Sequence, residues 1–181
     1  MQHKAAWHNS LILGLGVVVV ALDQWTKSWV RANLPEGTSL DAPAWLSPYA
    51  TITHTYNTGV AFGMFQNKGN LFAYVTVAVV LAIVLYYRRL ATSNWLLSVA
   101  LGLQLGGAIG NLIDRVARGY VTDFVNVRFF AVFNVADSAL VVGAILLGIY
   151  ALFLEGSKPA PVAPSPTTDA PGADGPASVA P

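Results

Sequence analysis

Four stretches of this chain approach the length of a bilayer-spanning helix, and that constrains its fold more than any single motif. A hydrocarbon core needs about 20 mostly apolar residues per helix. Leu11 to Val30 comes near this, interrupted by Asp23 and Lys27. Leu71 to Tyr87 is uncharged, ends on Tyr86 and Tyr87, which suit the membrane interface, and is closed by Arg88 and Arg89. Trp95 to Ile113 carries Gln104 and four glycines, and Ser138 to Leu154 completes the set. The chain is 55% hydrophobic and 10% charged, where a soluble domain carries about a quarter charged residues. A mainly α membrane protein with four transmembrane helices is expected.

The first stretch resembles a secretory signal, because Lys4 precedes an apolar run from Leu11 to Leu22. No small-residue cleavage site follows, and Asp23-Gln24-Trp25-Thr26-Lys27 continues at helical spacing, so an uncleaved span is expected. Four spans place both termini on one side. Lys4, Arg88, Arg89 and Lys158 then lie on the terminal side, against Arg31, Lys68, Arg115, Arg118 and Arg128 opposite. This division does not orient the protein, although the Arg88-Arg89 pair in a short loop favours cytoplasmic termini.

Two segments between the spans are too polar for lipid. Ala50 to Tyr56 is β-branched and aromatic, and Val121 to Phe133 alternates in places with the same enrichment, so both read as strands of a small sheet opposite the termini. Asn33 to Pro48, with Pro35, Gly37, Pro43 and Pro48, reads as a run of turns. After Lys158 come seven of the ten prolines, a composition that cannot offset its ordering entropy. The expected organisation is a membrane domain over 1–157 and a disordered Pro/Ala-rich tail over 158–181.

Several chemistries are excluded by what is missing. There is no cysteine, and His54 is the one histidine outside the first ten residues, where His3 and His8 are expected to form a tail. HExxH, Gly-x-Ser-x-Gly, a P-loop and a dinucleotide fingerprint are absent. A net charge of +1 gives no basic field for nucleic acid, so no nucleic-acid partner is expected. No metal or organic cofactor is called for.

The remaining signal is a set of acids in costly places. An aspartate at the centre of a membrane helix costs about 2.5 to 3.5 kcal/mol on insertion scales, so such carboxylates usually face a cavity or a partner. Asp23, Asp114, Asp123 and Asp137 all lie in or at the ends of apolar spans or strands. If Asn134 caps the fourth helix, Asp137 is its third residue, where free amides and the helix dipole favour a carboxylate. A strand that returned Asp123 to its side would make an acid pair sharing one proton. An N-cap aspartate beside an unrelated strand-end acid fits the same spacing. Asp23 and Lys27, at i and i+4, can pair, most simply at the interface. Gly102, Gly106 and Gly110 suit close helix packing, and Asn111 and Arg115 share a helix face.

Taken together, the motifs resemble those of the bacterial lipoprotein signal peptidases, the type II signal peptidases. They are Asp23-Gln24-x-Thr26-Lys27; Asn57-Thr58-Gly59-Val60-Ala61-Phe62-Gly63; Gly106 through Arg115; Val121-x-Asp123-Phe124; and Phe133-Asn134-x-Ala136-Asp137. The resemblance implies four transmembrane helices in the bacterial inner membrane, cytoplasmic termini, and an extracytoplasmic β-cradle beside the active site. It implies Asp123 and Asp137 as the catalytic dyad, with Asp23, Lys27, Asn57, Asn111, Asp114, Arg115 and Asn134 as polar support. Gly59, Ala61 and Phe62 would shape a loop over the site. The implied substrate is a diacylglyceryl-modified prolipoprotein, cut N-terminal to its lipidated cysteine by an enzyme working among membrane lipid, expected as a monomer. An ion-coupled carrier or a membrane scaffold would use the same acids and glycines differently, but no internal repeat supports a carrier.

Overall fold

The computed structural model describes residues 2–41, 43–58, 69–90 and 94–153. The elements run α1 (Gln2–Asn33), β1 (Ser39–Asp41), β2 (Ala50–Asn57), α2 (Gly69–Leu90), α3 (Trp95–Arg118), β3 (Val121–Val127) and α4 (Val135–Phe153). The fold is mainly helical with one small sheet. Three helices, α1, α3 and α4, are long and apolar enough to cross a membrane. In α2, 22 residues long, the apolar stretch among described side chains is Thr76–Leu85.

The first helix starts well before the expected Leu11. At 1.5 Å per residue its 32 residues reach about 48 Å, more than a hydrocarbon core of about 30 Å. His3 and His8 therefore lie on a helix and not in a tail, and the His8 side chain is buried with its ring edge-on to Trp7. Outward faces of α1 and α4 expose Val17, Leu22, Val141 and Leu152, as helices solvated by lipid do. Trp25 and Trp29 stand exposed near the end of α1, a residue type enriched at membrane interfaces.

The third helix is the most buried, and α1 and α4 pack on different faces of it. Its glycines explain how closely they do so. A Cβ on Gly106 would lie 2.6 Å from Val19 Cβ on α1, and one on Gly107 would lie 2.5 Å from the Ala136 carbonyl on α4. A Cβ on Gly110 would lie 2.7 Å from Asp23 Oδ2. The small-residue spacing thus serves close helix contact. Asn94 caps the start of α3 through the Leu96 N–H at 2.8 Å. Gly119 ends it at φ 80°, a left-handed conformation that glycine adopts without penalty, with its N–H on the Arg115 carbonyl.

The sheet has the order β1-β2-β3, antiparallel throughout. β1 falls within the Asn33 to Pro48 run expected as turns; at three residues it is too short for periodicity to reveal. β3 stops at Val127, and after a turn the chain returns so that Phe133 pairs with Val125. The expected Val121 to Phe133 strand is therefore a strand plus a folded-back end. Between Ile52 and Thr55 the β2–β3 register slips, which sets Thr55 opposite Asp123 and Asn57 opposite Val121.

Candidate active site

Two polar clusters sit where α1, α3, α4 and β3 meet. The inner one is centred on Lys27, which is completely buried. Its ammonium lies 2.8 Å from Asp23 Oδ2, 2.9 Å from Asn111 Oδ1 and 3.4 Å from Asp114 Oδ2. An isolated buried ammonium costs several kcal/mol, and three acceptors for its three protons offset this. The Asp23–Lys27 pair is therefore an interior junction of helices, which corrects the expectation of an interfacial pair. What buries it is α3, whose acceptors are far along the chain.

Both carboxylates of this cluster also tie down backbone. Asp23 Oδ1 accepts the Ala136 N–H at 2.9 Å, so a side chain of α1 caps the first turn of α4. Gln24 adds bonds to Asp23 at 3.1 Å and to the Gly110 carbonyl at 3.0 Å. Asp114 Oδ2 accepts the Thr122 N–H at 3.0 Å, fixing the start of β3, while Oδ1 meets Arg118 at 3.0 Å and Arg31 at 3.5 Å. Arg31 also donates to Thr122 Oγ1 at 2.9 Å. Gln24, Arg31, Arg118 and Thr122 were absent from the sequence-derived site. The i, i+4 spacing of Asp114 with Arg118 was an available signal, and Gln24 stood within the Asp23-Gln24-x-Thr26-Lys27 motif.

The outer cluster contains Asp123 and Asp137. Asn134 is the N-cap of α4, accepting the Asp137 N–H at 3.0 Å, while Asp137 Oδ2 accepts the Asn134 N–H at 3.2 Å. This is a reciprocal capping box with Asp in place of Glu. The Asn134 side-chain amide also donates to Asp123 Oδ1 at 2.6 Å, so one residue orients both acids. Asn57 Nδ2 donates to Asp123 Oδ2 at 2.9 Å, and Asn111 Nδ2 donates to Asp137 Oδ1 at 2.7 Å. Asn111 spans the two clusters, because its Oδ1 accepts from Lys27 and, at 3.2 Å, from Asn134.

Asp123 and Asp137 border one cavity of about 300 Å³, with Asn57, Asn111 and Arg115 around them and the Phe130–Phe133 segment along one side. Asp23, Lys27 and Asp114 do not line it; they stand behind it. Among the described residues, no Lys or Arg pairs directly with Asp123 or Asp137, whereas both inner aspartates are ion-paired. Arg115 lies within electrostatic reach of both outer acids without an ion pair to either. Burial, followed by the neighbouring Asp137 charge, raises Asp123 from 3.8 to about 7. The Asn57 and Asn134 amides and the Lys27 charge oppose this and do not prevail.

Gly59, Ala61 and Phe62 lie outside the described residues, as does the 158–181 tail. His54, 2% exposed, has Nδ1 at 2.7 Å from the Leu34 carbonyl and serves to hold β2 against the end of α1. Among the described residues no group of three or more His, Cys, Asp or Glu is placed to hold a metal.

The profile of the signal peptidase (SPase) II family matches residues 15–153. The chain is 48% identical over 143 residues to a lipoprotein signal peptidase of Geobacillus thermodenitrificans, a match covering 77% of this chain and 88% of that protein. It is 43% identical over 133 residues to a lipoprotein signal peptidase of Moorella thermoacetica, covering 74% and 87%. A bacterial membrane enzyme solved by the in meso method superposes with a TM-score of 0.74 at 33% identity, over 84% of this chain and 94% of that one.

Proposed function

The chain belongs to the signal peptidase II family, and from that premise we propose that it removes the signal peptide from diacylglyceryl-modified prolipoproteins, cutting on the N-terminal side of the lipidated cysteine. The supporting observation is the outer acid pair: two aspartates on one cavity, oriented by shared asparagines and given no cation of their own.

Asp137, with two N–H donors at a helix N-terminus, is the ionised partner, and Asp123 carries the shared proton. Water in the cavity gives a proton to Asp137 as its oxygen attacks the scissile carbonyl carbon. Asp123 delivers its proton to the carbonyl oxygen, forming a gem-diol. Collapse reverses the roles: Asp137 protonates the leaving nitrogen, Asp123 recovers a proton from a gem-diol hydroxyl, and the C–N bond breaks. The peptide plus one water becomes a carboxylic acid and an amine, with no acyl-enzyme. The Arg115 guanidinium supplies positive potential to the cavity where oxygen charge develops.

In this reading α2 is the fourth span, the termini are cytoplasmic, and the sheet and acid pair lie at the extracytoplasmic face of the inner membrane. A lipid-anchored precursor reaches such a site laterally, with its acyl chains still in the bilayer. The test is release of signal peptide by purified enzyme from lipidated and unlipidated forms of one precursor. Cleavage of the lipidated form alone is expected; equal cleavage of both, or no cleavage of the lipidated form, overturns the reading.

A further inference from the structure

Beside the catalytic cavity lies a second hollow of about 290 Å³, bordered by Phe130, Phe133, Asp137, Ser138, Val141 and Val142. It shares Phe130, Phe133, Asp137 and Val141 with the catalytic cavity, so the two adjoin at Asp137. Val141 and Val142 are 58% and 48% exposed on the outward face of α4. Exposed Ile145 and Ile149 extend that face down the helix, for about 16 Å from Ser138 at 1.5 Å per residue. The hollow thus begins at a reacting group and continues onto a stripe that faces hydrocarbon.

We propose that this hollow seats the glyceryl thioether and the first acyl methylenes of the substrate's modified cysteine, an assignment that rests on the function proposed above. When the scissile carbonyl meets Asp123 and Asp137, the side chain of the residue just after the cut must leave the cavity within a few ångströms of the acids. The hollow starts at Asp137 and is walled by aromatic and β-branched side chains. The lower stripe returns the rest of the chain to the bilayer. A second apolar hollow, about 190 Å³ between Trp25, Trp29, Ile52 and Phe124, shares no lining residue with the catalytic cavity and does not meet that geometry. Lipid is as apolar as the hollow, so the seat gains little from transfer out of the bilayer; its contribution is position. Val142, which borders the hollow and not the catalytic cavity, is then a determinant of lipid selectivity.

The experiment compares Val142→Trp with Ile149→Trp, a control lower on the same face, using precursors that carry two palmitoyl chains or two acetyl groups, the latter with no acyl methylene to seat beside Val142. Val142→Trp is expected to raise KM for the dipalmitoyl precursor about tenfold. The diacetyl precursor and Ile149→Trp should retain parental constants. Parental constants for Val142→Trp on both precursors, or equal loss on both, overturn the seat. Should Val142→Trp fail to insert, unmodified enzyme decides: a diazirine on the first acyl methylenes should label Phe133, Val141 or Val142, and labelling at Trp25 and Trp29 overturns the proposal. Parent enzyme that leaves the dipalmitoyl precursor uncut refutes the underlying function. Parent enzyme that cuts it while Val142→Trp is unaffected refutes the acyl seat alone.

Discussion

The inner and outer clusters use the same residue type, two aspartates each, and differ in what surrounds them. Asp23 and Asp114 are sealed and neutralised: Lys27 bridges them, Arg31 and Arg118 add charge to Asp114, and the remaining oxygens accept backbone N–H groups. Asp123 and Asp137 face a cavity and are held by neutral asparagine amides. Paired charges join four elements and have little left to react with. Acids oriented by amides stay without a counter-ion, and burial, together with the neighbouring Asp137 charge, raises Asp123 to about 7. Asn111 couples the two, accepting from Lys27 and donating to Asp137, so the inner cluster helps position the outer one.

The strongest way to break this contrast is to remove the outer acids. Asp123→Asn and Asp137→Asn should each lower turnover about a thousandfold, within the range for loss of general acid–base catalysis, with insertion retained. Turnover near the parental rate in either variant refutes the role assigned to that residue. Substitution in the inner cluster should act on stability first. Lys27→Ala leaves two buried carboxylates without their shared ammonium, a loss of about 3 to 5 kcal/mol, read as a lowered melting temperature in detergent. Parental stability and activity would mean that the buried pair does not join the helices. Gly110→Ala places a methyl group against Asp23 and should cost about 1 to 3 kcal/mol without touching the outer acids. A fall in kcat with unchanged melting temperature would place this glycine in the chemistry.

The pH dependence sharpens the same contrast. Asp123 is raised above its ordinary value in the folded protein, so between about pH 4 and pH 7 the folded state holds a proton that the unfolded chain has lost. Stability therefore falls as pH rises through this window. Asp123→Asn should gain melting temperature over the parent at pH 8, with the gain shrinking towards pH 5; the same difference at both would contradict the raised value. The smallest effect expected is from removing residues 159–181, which lie outside the match to the family profile and should leave cleavage unchanged. Loss of activity in an inserted truncate would give the tail a role.

Much of this contrast was legible in the sequence because carboxylates in apolar stretches are costly and therefore placed for a reason. The Asn134–Asp137 spacing announced a cap, and the cap is present. Asp23 and Lys27 announced a pair, but its burial depended on Asn111 and Asp114 of α3, more than eighty residues away, and local spacing carries no such information. The glycines of α3 announced close packing without saying that Gly106 faces α1 and Gly107 faces α4. β1 was hidden because three residues between prolines and glycine show no alternation, and its partner is set by β2. The cap position of Asp137 was legible, whereas the raised value of Asp123 follows from burial and from the neighbouring Asp137 charge, which only the folded chain supplies.

An infrared pH titration of the protonated carboxyl, on parent enzyme and on both dyad variants, tests the shared proton most directly. The account predicts a carboxyl stretch that titrates near pH 7 in the parent, vanishes in Asp123→Asn, and shifts to lower pH in Asp137→Asn, where the neighbouring charge is gone. A parent enzyme whose Asp123 is fully ionised by pH 5, or whose titration is unmoved by Asp137→Asn, would contradict it.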